Sequence, residues 1–180
     1  MSVLDPDPDE AGAARLGLMR ERGEGGPVDL PGAVVAYRAA AKAGNGDARR
    51  RLVRLLRRGA EGVPADPVEA RRLLVTMLPV DATAEERLLL IEMLAQGEGG
   101  EASPGDAARL LLEGITLRLR EEIALARNPG RRLGPATRTA FVELVKARGL
   151  TPPAKAASAG PLVTPALVDA IASGRGSSGR

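Results

Sequence analysis

Residues 16–45 read LGLMRERGEGGPVDLPGAVVAYRAAAKAGN, and this stretch decides the fold. Leu16 and Met19 stand at helical spacing ahead of Gly23, Glu24, Gly25 and Gly26, where glycine reaches left-handed backbone angles at low steric cost. Asp29 then opens a second helix that carries Ala33, Ala36, Tyr37, Ala40 and Ala41 on one face and ends at Gly44. Two short helices joined by a glycine loop make a helical hairpin.

The pattern returns twice at a spacing of about 37 residues. Gly25, Gly62 and Gly99 fall in register, as do Asp29, Asp66 and Ser103, and so do Ala33, Ala70 and Ala107. A period in this range marks stacked helical repeats rather than one ordinary core. The first-helix glycines Gly23, Gly59 and Gly97 slip by one residue against that register, so the loop is expected to absorb the variation. In the second copy Asp47 precedes Leu52, Leu55 and Leu56, Asp66, Pro67 and Glu69 open the partner helix, and Pro79 stops it. In the third, Thr83 and Glu86 form a capping box ahead of Leu90, Met93 and Leu94, and Ser103, Pro104 and Asp106 lead into Leu110, Leu111 and Ile115.

Outward from these copies, residues 1–8 form an extended lead-in set by Pro6 and Pro8, and residues 9–115 form a solenoid with units at about 10–45, 46–82 and 83–115. Residues 116–150 are expected to supply C-terminal helices that either cap the solenoid or form a second module. The stretch Ala107 to Arg127 reads as one long helix or as two with a break near Gly114. A helix follows from about Pro135 to Arg148 with Ala140, Phe141, Leu144 and Val145 as its apolar stripe. Residues 151–180 read as a linker from Thr151 to Gly160, a short helix over Pro165 to Ala172, and a disordered tail from Ser173.

Composition agrees. Of 180 residues 44% are hydrophobic, supplied by Ala, Leu and Val, with one Tyr, one Phe and no Trp, which favours helix packing over sheet. The expected class is all-α, an α/α superhelical solenoid of about three hairpins plus C-terminal helices. The chain has no Cys and no His, which excludes disulfides, thiolate metal sites and imidazole chemistry, and no cofactor or metal site is expected. Its 26 Lys and Arg against 23 acids are too small an excess to argue for nucleic acid. No apolar run approaches the roughly 18 residues of a membrane span. The acidic start, Met1 to Glu10, is not a secretory signal, so the chain as given is expected in the cytoplasm, or in the periplasm or envelope if it is part of a longer protein.

The first copy resembles the Sel-one-like repeat, a relative of the tetratricopeptide repeat, through Leu16, Gly17, Met19, Gly23, Gly25, Asp29, Ala33, Tyr37, Ala40, Ala41, Gly44 and Asn45. The later copies are degenerate: Val53 stands where the family prefers glycine, Leu74 and Leu111 stand at the aromatic place, and Ser103 replaces Asp. The resemblance covers about residues 10–115. It implies a right-handed α/α superhelix and a scaffold for protein partners, often in bacterial envelope or signalling assemblies. A second segment, Leu133, Gly134, Pro135, Ala136, Thr137 and Arg138, followed by Phe141 and Gly149-Leu150, resembles the helix of the peptidoglycan-binding domain family, with Leu144 in place of its Phe-Gln pair. That likeness implies a cell-wall contact through Thr137, Arg138 and Phe141.

The sharpest charge feature is the run Arg49, Arg50, Arg51, Arg54, Arg57 and Arg58, in which Arg50, Arg54, Arg57 and Arg58 share a helix face away from the leucines. It reads either as a solvated face partly neutralised by Glu61 and Glu69, or as a strip for an anionic polymer, lipid or acidic partner. Aromatic residues for base stacking are missing from it. The glycine loops lack the Gly-Lys-Ser/Thr of a phosphate cradle. The adjacent pairs Glu85-Glu86 and Glu121-Glu122 point about 100° apart on helices and do not converge as a catalytic pair. Tyr37 reads as a packing residue between helices. The leading expectation is a non-enzymatic adaptor that holds a protein segment on the surface formed by its first helices. The contrasting one is an envelope module whose solenoid positions a peptidoglycan-binding unit.

Overall fold

The computed structural model describes residues 8–78, 82–117, 119–130 and 132–174. Among these residues it is all helical apart from one isolated bridge between Ala60 and Val63. Packing divides the chain into two units, Met1–Asp81 and Ala82–Arg180. The lead-in ahead of residue 8, Pro79 and the tail beyond residue 174 lie outside the described residues.

Unit 1 holds α1 (Pro8–Arg22), α2 (Leu30–Lys42), α3 (Gly46–Arg58) and α4 (Pro67–Met77). Its hairpins share one loop geometry. Asp29 (φ −128°, ψ 82°) and Asp66 (φ −133°, ψ 76°) adopt almost the same backbone, and each carboxylate accepts from the third amide of its helix, at 2.8 Å from Gly32 and 2.9 Å from Glu69. Each Asp N–H donates back to the preceding helix, from Asp29 to the Arg20 carbonyl at 2.9 Å and from Asp66 to that of Leu56 at 2.7 Å. The second loop carries one more residue between these anchors, and the reciprocal Ala60–Val63 hydrogen bonds at 2.9 Å take it up. Gly62, at φ +70°, shows why the loop keeps glycine: a Cβ there would also stand 3.0 Å from Pro31 Cγ, so the second loop lies against the first turn of α2.

The core of unit 1 is made of small residues on α2, Ala33, Ala36 and Ala40 with Tyr37, facing Ala48, Leu52, Val53 and Leu56 of α3. Alanine at these places lets helix axes approach closely while still removing apolar surface from water. Ala70, Leu74 and Met77 extend the core into α4.

Unit 2 holds α5 (Ala84–Gln96), α6 (Pro104–Thr116), α7 (Arg120–Arg127), α8 (Pro135–Ala147) and α9 (Pro165–Ser173). The hairpin α5–α6 repeats the loop: Ser103 has φ −123° and ψ 72°, and its N–H donates to the Leu94 carbonyl at 2.8 Å, without a side-chain cap. The capping box closes at the head of α5, with the Thr83 N–H donating to Glu86 Oε2 at 2.6 Å and the Glu86 N–H to Thr83 Oγ1 at 3.4 Å. α6 packs against α5, α7, α8 and α9, and Ala107, Ala108, Leu110, Leu111, Leu112 and Ile115 bury it on nearly every side.

Three details add to the sequence reading. The third hairpin packs in one unit with the C-terminal helices, with the division at residue 81. Of the two readings left open for Ala107 to Arg127 the structure has two helices, the first ending at Thr116, two residues beyond Gly114. Gly114 itself is a crossing point, where a Cβ would lie 2.6 Å from Glu122 Cγ of α7. Within residues 151–160 Ala156 is buried and the Ala156 and Gly160 carbonyls accept from Arg138, and just beyond them Leu162 and Val163 enter the core, with the Leu162 N–H donating to the Ala126 carbonyl at 2.8 Å. The segment is a strap held at these points.

Candidate functional site

The groove on the first-helix face of unit 1 is built on Tyr37. Its ring is fully buried and lies on Gly17 of α1, where a Cβ would come within 2.5 Å of Tyr37 Cε1. Glu21 stands one turn beyond Gly17 on the same face. The Tyr37 hydroxyl donates to Glu21 Oε2 at 2.5 Å, and Arg51 Nη1 of α3 donates to the same oxygen at 2.9 Å. One carboxylate oxygen thus ties three helices together.

Burial alone would raise the Glu21 pKa, but the hydrogen bonds from Tyr37 and Arg51 and the charges of Arg51 and Arg54 outweigh it and hold the carboxyl below its ordinary value. Burial, then the bond to Glu21, pushes the Tyr37 phenol upward and keeps it a donor. A carboxyl depressed by folding stabilises above its unfolded pKa and loses that contribution as pH falls through the folded one. The melting temperature of Glu21→Gln should therefore lie below that of the wild type at pH 7 and converge on it as pH drops below the ordinary carboxyl value of 4.5. A gap that persists unchanged at pH 3 would remove Glu21 from this role.

Above the lock, α1 and α3 enclose a groove of about 430 Å³, walled by Ala14, Arg15 and Leu18 on one side and by Arg50, Arg51 and Arg54 on the other, with Tyr37 between them. Asp47 is the one acid among the described lining residues, and it accepts from Arg50 at 2.8 Å. Of the four arginines marked in the sequence, Arg50 and Arg54 line this groove. Arg57 and Arg58 lie in the last turn of α3, where a cation complements the helix dipole. Arg15 and Glu21 were absent from the sequence candidates, and Arg51 stood in the arginine run but not on its marked face. The signal for Glu21 was its place four residues after Gly17.

The repeat glycines sit at matching turns, Gly23 (φ +70°), Gly25 (φ +88°) and Gly99 (φ +77°) among them, and Ala33, Ala70 and Ala107 are all fully buried. The C-terminal trio lies inward. Thr137 and Phe141 are 0% exposed and Arg138 is 4% exposed. The Arg138 guanidinium donates to four carbonyls, Gly160 at 2.9 Å, Ala156 at 3.2 Å, Leu133 at 3.3 Å and Gly130 at 3.4 Å. It binds the loop before α8 to the strap after it, and a surface ligand does not meet it while unit 2 is folded.

The other buried charges are structural in geometry. Arg87 Nε of α5 donates to Glu122 Oε1 of α7 at 2.7 Å, with Glu122 completely buried over Gly114. Glu86 is occupied in its cap, and Glu121 lies outside the residues whose side chains are described. Among the described residues no cluster of acids is arranged to hold a metal, and no helix is long and apolar enough to cross a membrane.

No protein-family model and no curated protein matches the chain. Among solved structures it is similar to a Sel1 repeat protein from Oxalobacter formigenes, at 22% identity and a TM-score of 0.53 over 65% of this chain and 48% of the other. A second similarity is to c5321, described as a protective antigen of uropathogenic Escherichia coli with an SLR fold, at 18% identity and a TM-score of 0.33 over 91% of this chain and 44% of the other. The chain thus spans about half the length of these proteins. The hairpins with shared loops and the likeness to the Oxalobacter protein lead to one conclusion: this chain has the Sel1-repeat helical fold.

Proposed function

We propose that the chain is a member of the Sel-one-like repeat family that works as a non-enzymatic scaffold and holds a protein segment in the α1–α3 groove of unit 1. The observation that carries this reading is the groove itself, with Arg15 and Arg54 on opposite walls above a floor locked by Tyr37, Glu21 and Arg51. A preorganised concave wall lowers the ordering cost of binding, and arginine is a favoured anchor at interfaces. Repeat folds present such surfaces generally. Catalysis finds no imidazole or thiol in the chain, and of the acids named in the sequence Glu86 is spent on a cap and Glu122 on an ion pair.

The test is affinity capture with the whole chain against Arg15→Glu/Arg54→Glu. The doubly reversed protein should lose its captured protein by about a hundredfold in affinity, near tenfold per reversed contact. Undiminished capture would refute the groove as the site. If the bound species is a polyanion whose affinity collapses with added salt, the arginine wall is a general anion binder and the scaffold reading fails.

A further inference from the structure

We propose that unit 1 carries a second binding site, a groove on its second-helix face that takes an acidic, amphipathic protein segment. This groove has a volume of about 600 Å³ and shares no lining residue with the α1–α3 groove. Lys42 from the end of α2, Arg49 from the start of α3 and Arg72 from the middle of α4 meet around it, while Ala41, Leu52 and Leu73 supply its apolar part. The side chains of Lys42, Arg49 and Arg72 make no ion pair or hydrogen bond with any described residue. The one acid among the described lining residues, Glu69, is already engaged by Arg38 through two parallel bonds, Nε to Oε1 at 3.0 Å and Nη2 to Oε2 at 2.6 Å.

Four cations therefore face one carboxylate, and three of the four are held near one another without a counter-charge. Like charges gathered on a partly apolar concavity repel in the free protein, and that repulsion is relieved when a partner brings carboxylates. Arginine and lysine select the anion, and the arginine fork matches a carboxylate in two bonds. The apolar lining selects the rest of the ligand, since Ala41 and Leu73 are partly exposed in the groove and can cover an apolar side chain. A segment with acids on one face and leucine-like residues on the other satisfies both.

Single-stranded nucleic acid fits less well, because the two aromatic residues of the chain, Tyr37 and Phe141, are fully buried and offer no base a stacking face. A bilayer fits less well too, because a flat surface does not fill the concavity that Ala41, Leu52 and Leu73 line.

The test uses the whole chain and a fluorescein-labelled peptide of about 15 residues that repeats Glu-Leu-Ala-Glu, long enough to span roughly four helical turns. Fluorescence anisotropy should show saturable binding that Lys42→Glu/Arg72→Glu weakens by about a hundredfold and Arg15→Glu/Arg54→Glu by less than about twofold. Lys42 and Arg72 are exposed, so circular dichroism should show both double variants folded. No saturation up to about 1 mM peptide would overturn the proposal, and so would a loss confined to the Arg15/Arg54 variant. Equal binding of a peptide with serine in place of leucine would overturn the amphipathic requirement. Displacement by an oligothymidylate or by phosphatidylglycerol vesicles at the potency of the peptide would assign the groove to another class of partner.

Discussion

Tyr37→Ala should destabilise unit 1 by about 3–5 kcal/mol, the usual cost of emptying a buried aromatic site. The ring is fully buried and rests on Gly17, and its hydroxyl holds Glu21, which in turn holds Arg51. Its removal empties a space between α1 and α2 and leaves Glu21 with one partner fewer. Small domains have only about 5–15 kcal/mol of net stability, so the change takes a large share. Hydrogen exchange locates the effect: amides of residues 12–58 should lose protection well before those of α5 to α9. Tyr37→Phe keeps the ring and should cost about 1.5–3 kcal/mol, the range for a hydrogen bond to a charged group. If Tyr37→Ala melts within a degree of the wild type, Tyr37 is not the keystone of this unit.

Arg138→Ala should cost a similar amount in unit 2, about 3–5 kcal/mol, because one substitution leaves four carbonyls without their charged donor. The loss should appear as a lower denaturation midpoint with unchanged cooperativity. Arg138→Lys should recover little of it, since a single ammonium cannot reach Gly130, Leu133, Ala156 and Gly160 together. The same experiment separates structure from ligand contact. A variant that keeps wild-type stability but loses retention on purified peptidoglycan would turn Arg138 into a binding residue. A variant that loses stability makes any loss of retention a consequence of unfolding.

The fold was legible because its signals are local. An Asp before Pro, an Ala four residues on and a glycine loop each report on a few neighbours, and their shared spacing turns them into a repeat. Arg38 with Glu69, Arg87 with Glu122 and Tyr37 with Glu21 were not legible, because each pair joins separate helices and the facing side chains follow from packing alone. Arg138 misled for a related reason. An arginine in a short motif reads as an exposed contact, whereas here buried backbone carbonyls from two loops converge on it. The strap at residues 151–160 had linker composition, and only the core it covers reveals its place. In the first-helix groove, Arg50 and Arg54 belonged to a run visible in the sequence, while Arg15 lies outside any run and joins them only through the packing of α1 beside α3.

The claim that unit 1 holds a protein segment between α1 and α3 is tested most directly by site-specific photocrosslinking of the captured complex. A photoreactive residue at position 15, on the groove wall, should yield a covalent adduct with the partner, and one at exposed Ala166 on α9 should yield none. Adducts from position 166 with none from position 15 would contradict the account.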